Sequence, residues 1–179
     1  PERYDDAQLR SVLVASNPDL ARTTSTPSAS EFGQLRRVAD YQFGTGAGVG
    51  LFPDRSALTV KRTGSGRIEQ VFADETRLVS RRTDGRLTLS VQAAERLAET
   101  LPDRYCVAVG AESRPYVSEG KNAFAKFVTA VDPAVRSGDE VYIIHEATVL
   151  GVGQAVLSAS DMRAFDRGMA VKVRHGRAE

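Results

Sequence analysis

The sequence predicts an α+β protein in two units: a helix, an antiparallel meander and a second helix, followed by a small closed β-barrel. Three observations carry that reading. Short β-branched runs between residues 57 and 89 alternate with turn residues, helical patterns flank them on both sides, and after Asp103 only short strands and single-turn helices remain. A chain of 179 residues suits two small domains better than one enlarged core. The expected divisions are an extension or linker over 1–29, a small α+β domain over 30–102 and a barrel over 103–176.

Within the extension, Leu9, Val12, Leu13 and Ala15 stand at helical spacing after Asp5 and Asp6, which predicts a short amphipathic helix. Residues 22–30 hold nothing apolar larger than alanine and proline, and they read as a linker. Ser30 is the expected cap of a helix reaching Tyr41, with Leu35, Val38 and Ala39 on its apolar stripe. Glycines 44, 46, 48 and 50 follow that helix. They alternate strictly and follow no strand, so they do not form a dinucleotide fingerprint; a close backbone crossing is expected instead. The runs 57–60, 68–72, 76–80 and 87–89 are strands joined by turns, and Ser90 caps a second helix bearing Ala94, Leu97, Ala98 and Leu101.

In the second unit, strands are expected over 105–109, 125–131, 140–145, 148–157 and 169–175, with a helical turn over 117–121 and a short helix over 162–165 capped at Ser158–Asp161. Gly151 and Gly153 mark a bulge or sharp bend in the fourth of these strands. So few short strands suit a closed barrel, which leaves no exposed edge.

Composition sets limits on function. No window approaches the length of apolar residues that crosses a bilayer, and the first residues do not form a signal peptide. Cys106 is the only cysteine, which excludes an internal disulfide and leads us to expect a reducing cytoplasm. One cysteine and two histidines do not make a structural zinc site, so no metal is expected. Glu119-Gly-Lys-Asn122 lacks the upstream glycine and the Ser or Thr of a nucleotide-binding loop, and no cofactor is expected either. Net charge is +1, and residues 1–102 carry 14 Lys and Arg against 13 Asp and Glu while 103–179 carry 10 against 10. Any polyanion site must therefore be a local patch.

The segments Ser137–Ile144, Val149–Met162 and Arg167–Gly176 resemble, in order and spacing, the PUA domain. Residues 119–128 resemble the turn and strand found in the form of that domain carried by archaeal tRNA-guanine transglycosylases and archaeosine synthases. Ala39–Gly44, Gly66–Ile68 and Asp84–Leu89 are similar to the small domain preceding it there, and the likeness covers residues 32–176. The transglycosylases place their aspartate nucleophile and zinc cysteines on a separate barrel, and the synthases use a cysteine in a Pro-Cys motif. Cys106 follows Tyr105 instead. The resemblance thus implies an accessory module with no catalytic residues of its own.

It also implies RNA, expected to be tRNA, bound between the last strand and the glycine turn of the barrel. The site residues so named are Gly120, Lys121, Asn122, Phe124, Lys126, Lys172 and Arg174. Their chemistry fits RNA binding, since Gly120 allows close phosphate approach, the cations neutralise phosphates, and Phe124 offers a stacking face. Alternation in the last strand sends Met169, Val171 and Val173 to one face and Lys172 and Arg174 to the other. Phe124 and Phe127 are expected on opposite faces of their strand, with one inside. Glu119, Asp139, Glu140 and Glu146 weaken the patch if they share its face. A tRNA-modification enzyme is the expected partner; neither membrane nor DNA is expected. The rival reading is a protein-interaction subunit docking through an exposed Leu51–Phe52 region and the first helix.

Overall fold

The computed structural model describes residues 24–178; the helix expected over residues 1–15 lies outside them. The first unit contains β1 (Thr24–Ser25), α1 (Ala29–Phe43), α2 (Ala47–Leu51), β2 (Leu58–Arg62), β3 (Ile68–Ala73), β4 (Thr76–Arg81), β5 (Leu87–Leu89) and α3 (Val91–Thr100). Its five strands form one antiparallel sheet in sequence order. Within the stretch read as a linker, Thr24 and Ser25 pair with Lys61 and Val60, and Ala29 and Ser30 open α1.

Helix α1 starts two residues earlier than the composition suggests, since Ser28 rather than Ser30 is its cap. Ser28 and Glu31 form a reciprocal capping box, and Glu31 also pairs with Arg62 of β2. Leu35, Ala39 and Phe43 repeat every four residues on the buried face. The glycine run then makes a tight crossing, and it includes a short helix that alternation of glycines hid. A Cβ at Gly48 would come within 2.5 Å of the Arg36 carbonyl oxygen, so α2 can lie directly on the backbone of α1. Asp40 secures the crossing by accepting from the N–H groups of Gly46 and Gly48 at 3.0 and 2.8 Å. This brings Leu51 and Phe52 into the core with no exposure, which corrects their expected place on the surface.

The second unit contains β6 (Cys106–Val109), α4 (Arg114–Ser118), β7 (Ala123–Phe124), β8 (Val128–Val131), β9 (Glu140–His145), β10 (Thr148–Ala155), α5 (Ala159–Ala164) and β11 (Met169–Gly176). Its strands run in the order β7-β11-β10-β9-β6-β8, with β6 and β9 parallel and every other pair antiparallel, forming a near-closed barrel. Strand β10 is continuous. Its register slips beside Gly151 against β9 and beside Gly153 against β11, as bulge-forming glycines require.

The strand expected over 125–131 is interrupted: a 3-10 turn over Ala125–Phe127 separates β7 from β8. Alternation therefore does not relate Phe124 to Phe127. Ala123 and Ala125 point inward instead, and both phenylalanines remain at or near the surface.

The two units share a core. Cys106, Tyr142, Val149 and Val152 of the barrel join the apolar cluster of the first unit, and the Phe43 and Tyr105 rings meet edge to face at 5.8 Å. Tyr105 has a left-handed backbone, φ 54°, and its N–H donates to Asp132 at 2.7 Å. The connection between the units is thereby held in one geometry.

Candidate nucleic-acid interface

The glycine turn follows α4. Gly120 has φ 78°, and its N–H and that of Lys121 close the helix end on the carbonyls of Val117 and Tyr116 at 3.0 and 2.9 Å. Strand β11 lies directly against it. Gly176 has no room for a side chain, because a Cβ would collide with the Ser118 carbonyl and stand 2.5 Å from the Gly120 nitrogen. Asn122 reinforces the contact: its Oδ1 accepts from the Val173 N–H at 3.0 Å, just before β7 pairs Phe124 with Met169. The turn and the last strand, far apart in sequence, thus form one ridge.

Along this ridge Lys121 and Lys172 are exposed, and neither belongs to a salt bridge among the described residues. Phe124 is 44% exposed. Lys126 lies with its Nζ 4.5 Å from the centre of the Phe127 ring, a cation–π contact that keeps it beside the turn.

Arg174 has a different role from the one alternation suggests. Its guanidinium makes a two-pronged pair with buried Glu140, at 2.6 and 2.8 Å, and Glu140 also accepts from the Leu89 N–H at 2.8 Å. The carboxylate that sequence reasoning treated as a threat to the patch therefore neutralises one of its members. Burial pushes the Glu140 carboxyl above the usual carboxylate range, and the bonds from Arg174 oppose that shift. Asn122 likewise serves the strand. The free cationic surface of the ridge reduces to Lys121 and Lys172, with Lys126 beside them.

Sequence reasoning missed Tyr116, which is 61% exposed on α4 one turn before Lys121. It also missed Arg77, whose guanidinium donates to Nε2 of His175 at 3.1 Å. Arginine only donates, so Nε2 accepts and the ring proton sits on Nδ1. Arg77 has no sequence signal, since its contact depends on how the two units meet.

Cys106 and His145 are both committed to the barrel's own structure. Cys106 is buried, and burial, with Asp103 and Asp132 nearby, pushes its thiol up to about 11, so it is protonated at neutral pH. His145 uses Nδ1 to hold the Val109 carbonyl at 2.9 Å. Among the described residues no three His, Cys, Asp or Glu side chains converge as a metal site, and no helix is long and apolar enough to cross a membrane.

Comparison with known proteins follows the same division. Residues 33–104 match the family described as the patch-forming domain C2 of tRNA-guanine transglycosylase, and residues 106–177 match the PUA domain. The tRNA-guanine(15) transglycosylase of Methanothermobacter thermautotrophicus is 39% identical over 152 residues, covering 83% of this chain and 23% of the relative. That of Pyrococcus furiosus is 43% identical over 145 residues, covering 79% of this chain and 24% of the relative. The chain thus spans about a quarter of the length of these relatives, within their C-terminal region. Two solved structures share the fold. A hypothetical protein of Pyrococcus horikoshii superposes with a TM-score of 0.70 at 20% identity, covering 87% of this chain and 95% of its own. A PUA domain protein of Thermoplasma acidophilum does so with 0.64 at 19% identity, covering 88% and 95%.

Proposed function

The chain belongs to the C2–PUA family that forms the C-terminal region of tRNA-guanine transglycosylases, and from that premise we propose that it is a non-catalytic RNA-binding protein acting in tRNA modification. The observation that carries the proposal is the ridge itself, where a glycine turn without side-chain bulk is locked beside β11 with Lys121 and Lys172 exposed on it. The lysines neutralise phosphates laid along the turn, and Phe124 and Tyr116 offer faces to unpaired bases. The relatives' name supports a tRNA as the RNA, and their greater length supports a catalytic subunit or domain as the partner that modifies it. Buried Cys106, protonated and away from solvent, supports the non-catalytic reading.

The test is a fluorescence titration of tRNA at several salt concentrations. With two neutralised phosphates, and a slope of about 0.7–0.9 for each, affinity falls about 7- to 12-fold between 50 and 200 mM salt. The double variant Lys121→Ala, Lys172→Ala flattens that dependence if the ridge is the site. An unchanged slope in the variant overturns the proposal.

A further inference from the structure

Arg81 ends β4 half-buried, and among the described residues it makes no ion pair and no side-chain hydrogen bond. A guanidinium drawn out of water is ordinarily paired, so this one stands ready for an anion that the chain does not supply. It lines a cleft of about 580 Å³ between α1, the β4–β5 turn and the loop before β9. That volume lies within the range of about 300–1,000 Å³ typical of small-ligand clefts.

Two more guanidiniums line the same cleft, Arg86 from the turn and Arg136 from the loop. Nη1 of Arg136 donates to the Pro133 and Val135 carbonyls at 2.8 and 3.2 Å, which fixes the group and leaves Nε and Nη2 for another acceptor. Arg86, 56% exposed and 3.8 Å from Asp139, is only loosely paired. The carboxylates of the lining are engaged. Glu140 is held by Arg174, Asp84 accepts from the Arg86 N–H at 3.0 Å and lies 3.3 Å from Arg82, and Asp139 accepts from the Arg136 N–H at 2.8 Å. Since Arg174 and Arg82 stand outside the lining, its three guanidiniums are answered by Asp139 alone, and the cleft is cationic.

The rest of the wall is aromatic and apolar. Val38 and Tyr41 stand three residues apart on α1 and so share a helix face, and Tyr41 is 92% exposed. Tyr105 adds a second phenol from the connection between the units, where its left-handed backbone holds it. Planar cations suited to a phosphate, set beside aromatic rings, match a phosphate and a flat ring carried on one molecule.

We propose that this cleft binds a small phosphomonoester bearing a planar ring, with the size and chemistry of a nucleoside 5′-monophosphate. Its phosphate meets Arg81 and Arg136, and its ring lies against Tyr41. None of Gly120, Lys121, Phe124 and Lys172 lines this cleft, so it is a second site, separate from the ridge proposed to hold RNA.

Isothermal titration calorimetry of the full chain with the four ribonucleoside 5′-monophosphates tests the assignment, with the matching nucleosides and inorganic phosphate as comparison probes. At least one nucleotide is expected to bind, and its nucleoside to bind about 10- to 150-fold more weakly, as loss of charge-assisted hydrogen bonds implies. Arg81→Gln brings a loss of the same size. Tyr41→Ala, at a solvent-facing position, weakens the nucleotide by at least about fivefold through lost stacking. Saturating tRNA leaves nucleotide affinity unchanged. No binding of any of the four, inorganic phosphate bound as tightly as the best nucleotide, or native affinity in either variant overturns the proposal. Displacement of the nucleotide by tRNA also overturns it, by assigning the cleft to the polynucleotide. The ridge is judged by the salt dependence of tRNA binding instead, so the two sites fail separately.

Discussion

Glu140 accepts from Leu89 in the first unit and from Arg174 on the last strand, so removing it unpairs groups on both sides of the junction. Glu140→Ala is expected to cost about 2–4 kcal/mol, less than a fully buried pair because Arg174 retains some solvent. Urea unfolding measures this directly. A pH signature separates the two partners. The Glu140 carboxyl, raised by burial, binds its proton more tightly in the folded chain than in the unfolded one. Its contribution to stability therefore grows as pH falls through that raised range and shrinks as pH rises. Arg174→Met removes the opposing cation and steepens the effect, so this variant gains stability relative to the native protein on acidification from neutrality. Urea midpoints that move in parallel for the two proteins would show that Arg174 does not compensate Glu140.

At the level of elements, the capping box of α1 behaves in the opposite sense. Glu31 is held down to about 2, first by the Arg62 guanidinium and then by the Ser28 N–H, from an ordinary value of 4.5. The stability it confers is complete above about 4.5 and disappears as pH falls towards about 2. Arg62→Ala should abolish most of this acid sensitivity. Ser28→Ala should lower stability by about 1 kcal/mol, as loss of a cap does, with thermal unfolding as the measurement. Gly176→Ala tests the joint between β11 and the glycine turn: the added methyl meets backbone, which gives way only by parting the two, at about 1–3 kcal/mol and with weakened RNA binding.

The elements also show what the sequence makes legible. The helix capped at Ser90, the meander, and the bulges at Gly151 and Gly153 all follow from local chemistry and lie where periodicity and turn residues place them, while the helix capped at Ser158 begins three residues earlier than expected, at Ala159. The start of α1 was obscured because Ser28 and Ser30 are chemically alike and only the geometry of Glu31 chooses between them. The break at Ala125–Phe127 carries no proline or glycine to announce it. In the interface, the turn and strand are named by the resemblance to the PUA domain. The commitment of Arg174 to Glu140 is not, because those residues are 34 positions apart and meet only through the barrel.

For the molecule as a whole, the apolar cluster that crosses from one unit to the other predicts one cooperative unfolding transition. Barrel residues Cys106, Tyr142, Val149 and Val152 sit in it beside Leu89 and Phe43. Circular dichroism and tyrosine fluorescence followed through the same urea series should report coincident midpoints; two separated steps would show that the shared cluster contributes little.

That crossing also limits how the parts can be recombined. A barrel excised at Asp103 would present Tyr142, Val149 and Val152 to water as a raw seam, and the excised front unit would lose the lid over Phe43. Grafting this barrel onto another protein therefore means transplanting its mate, or repainting the seam with polar side chains first.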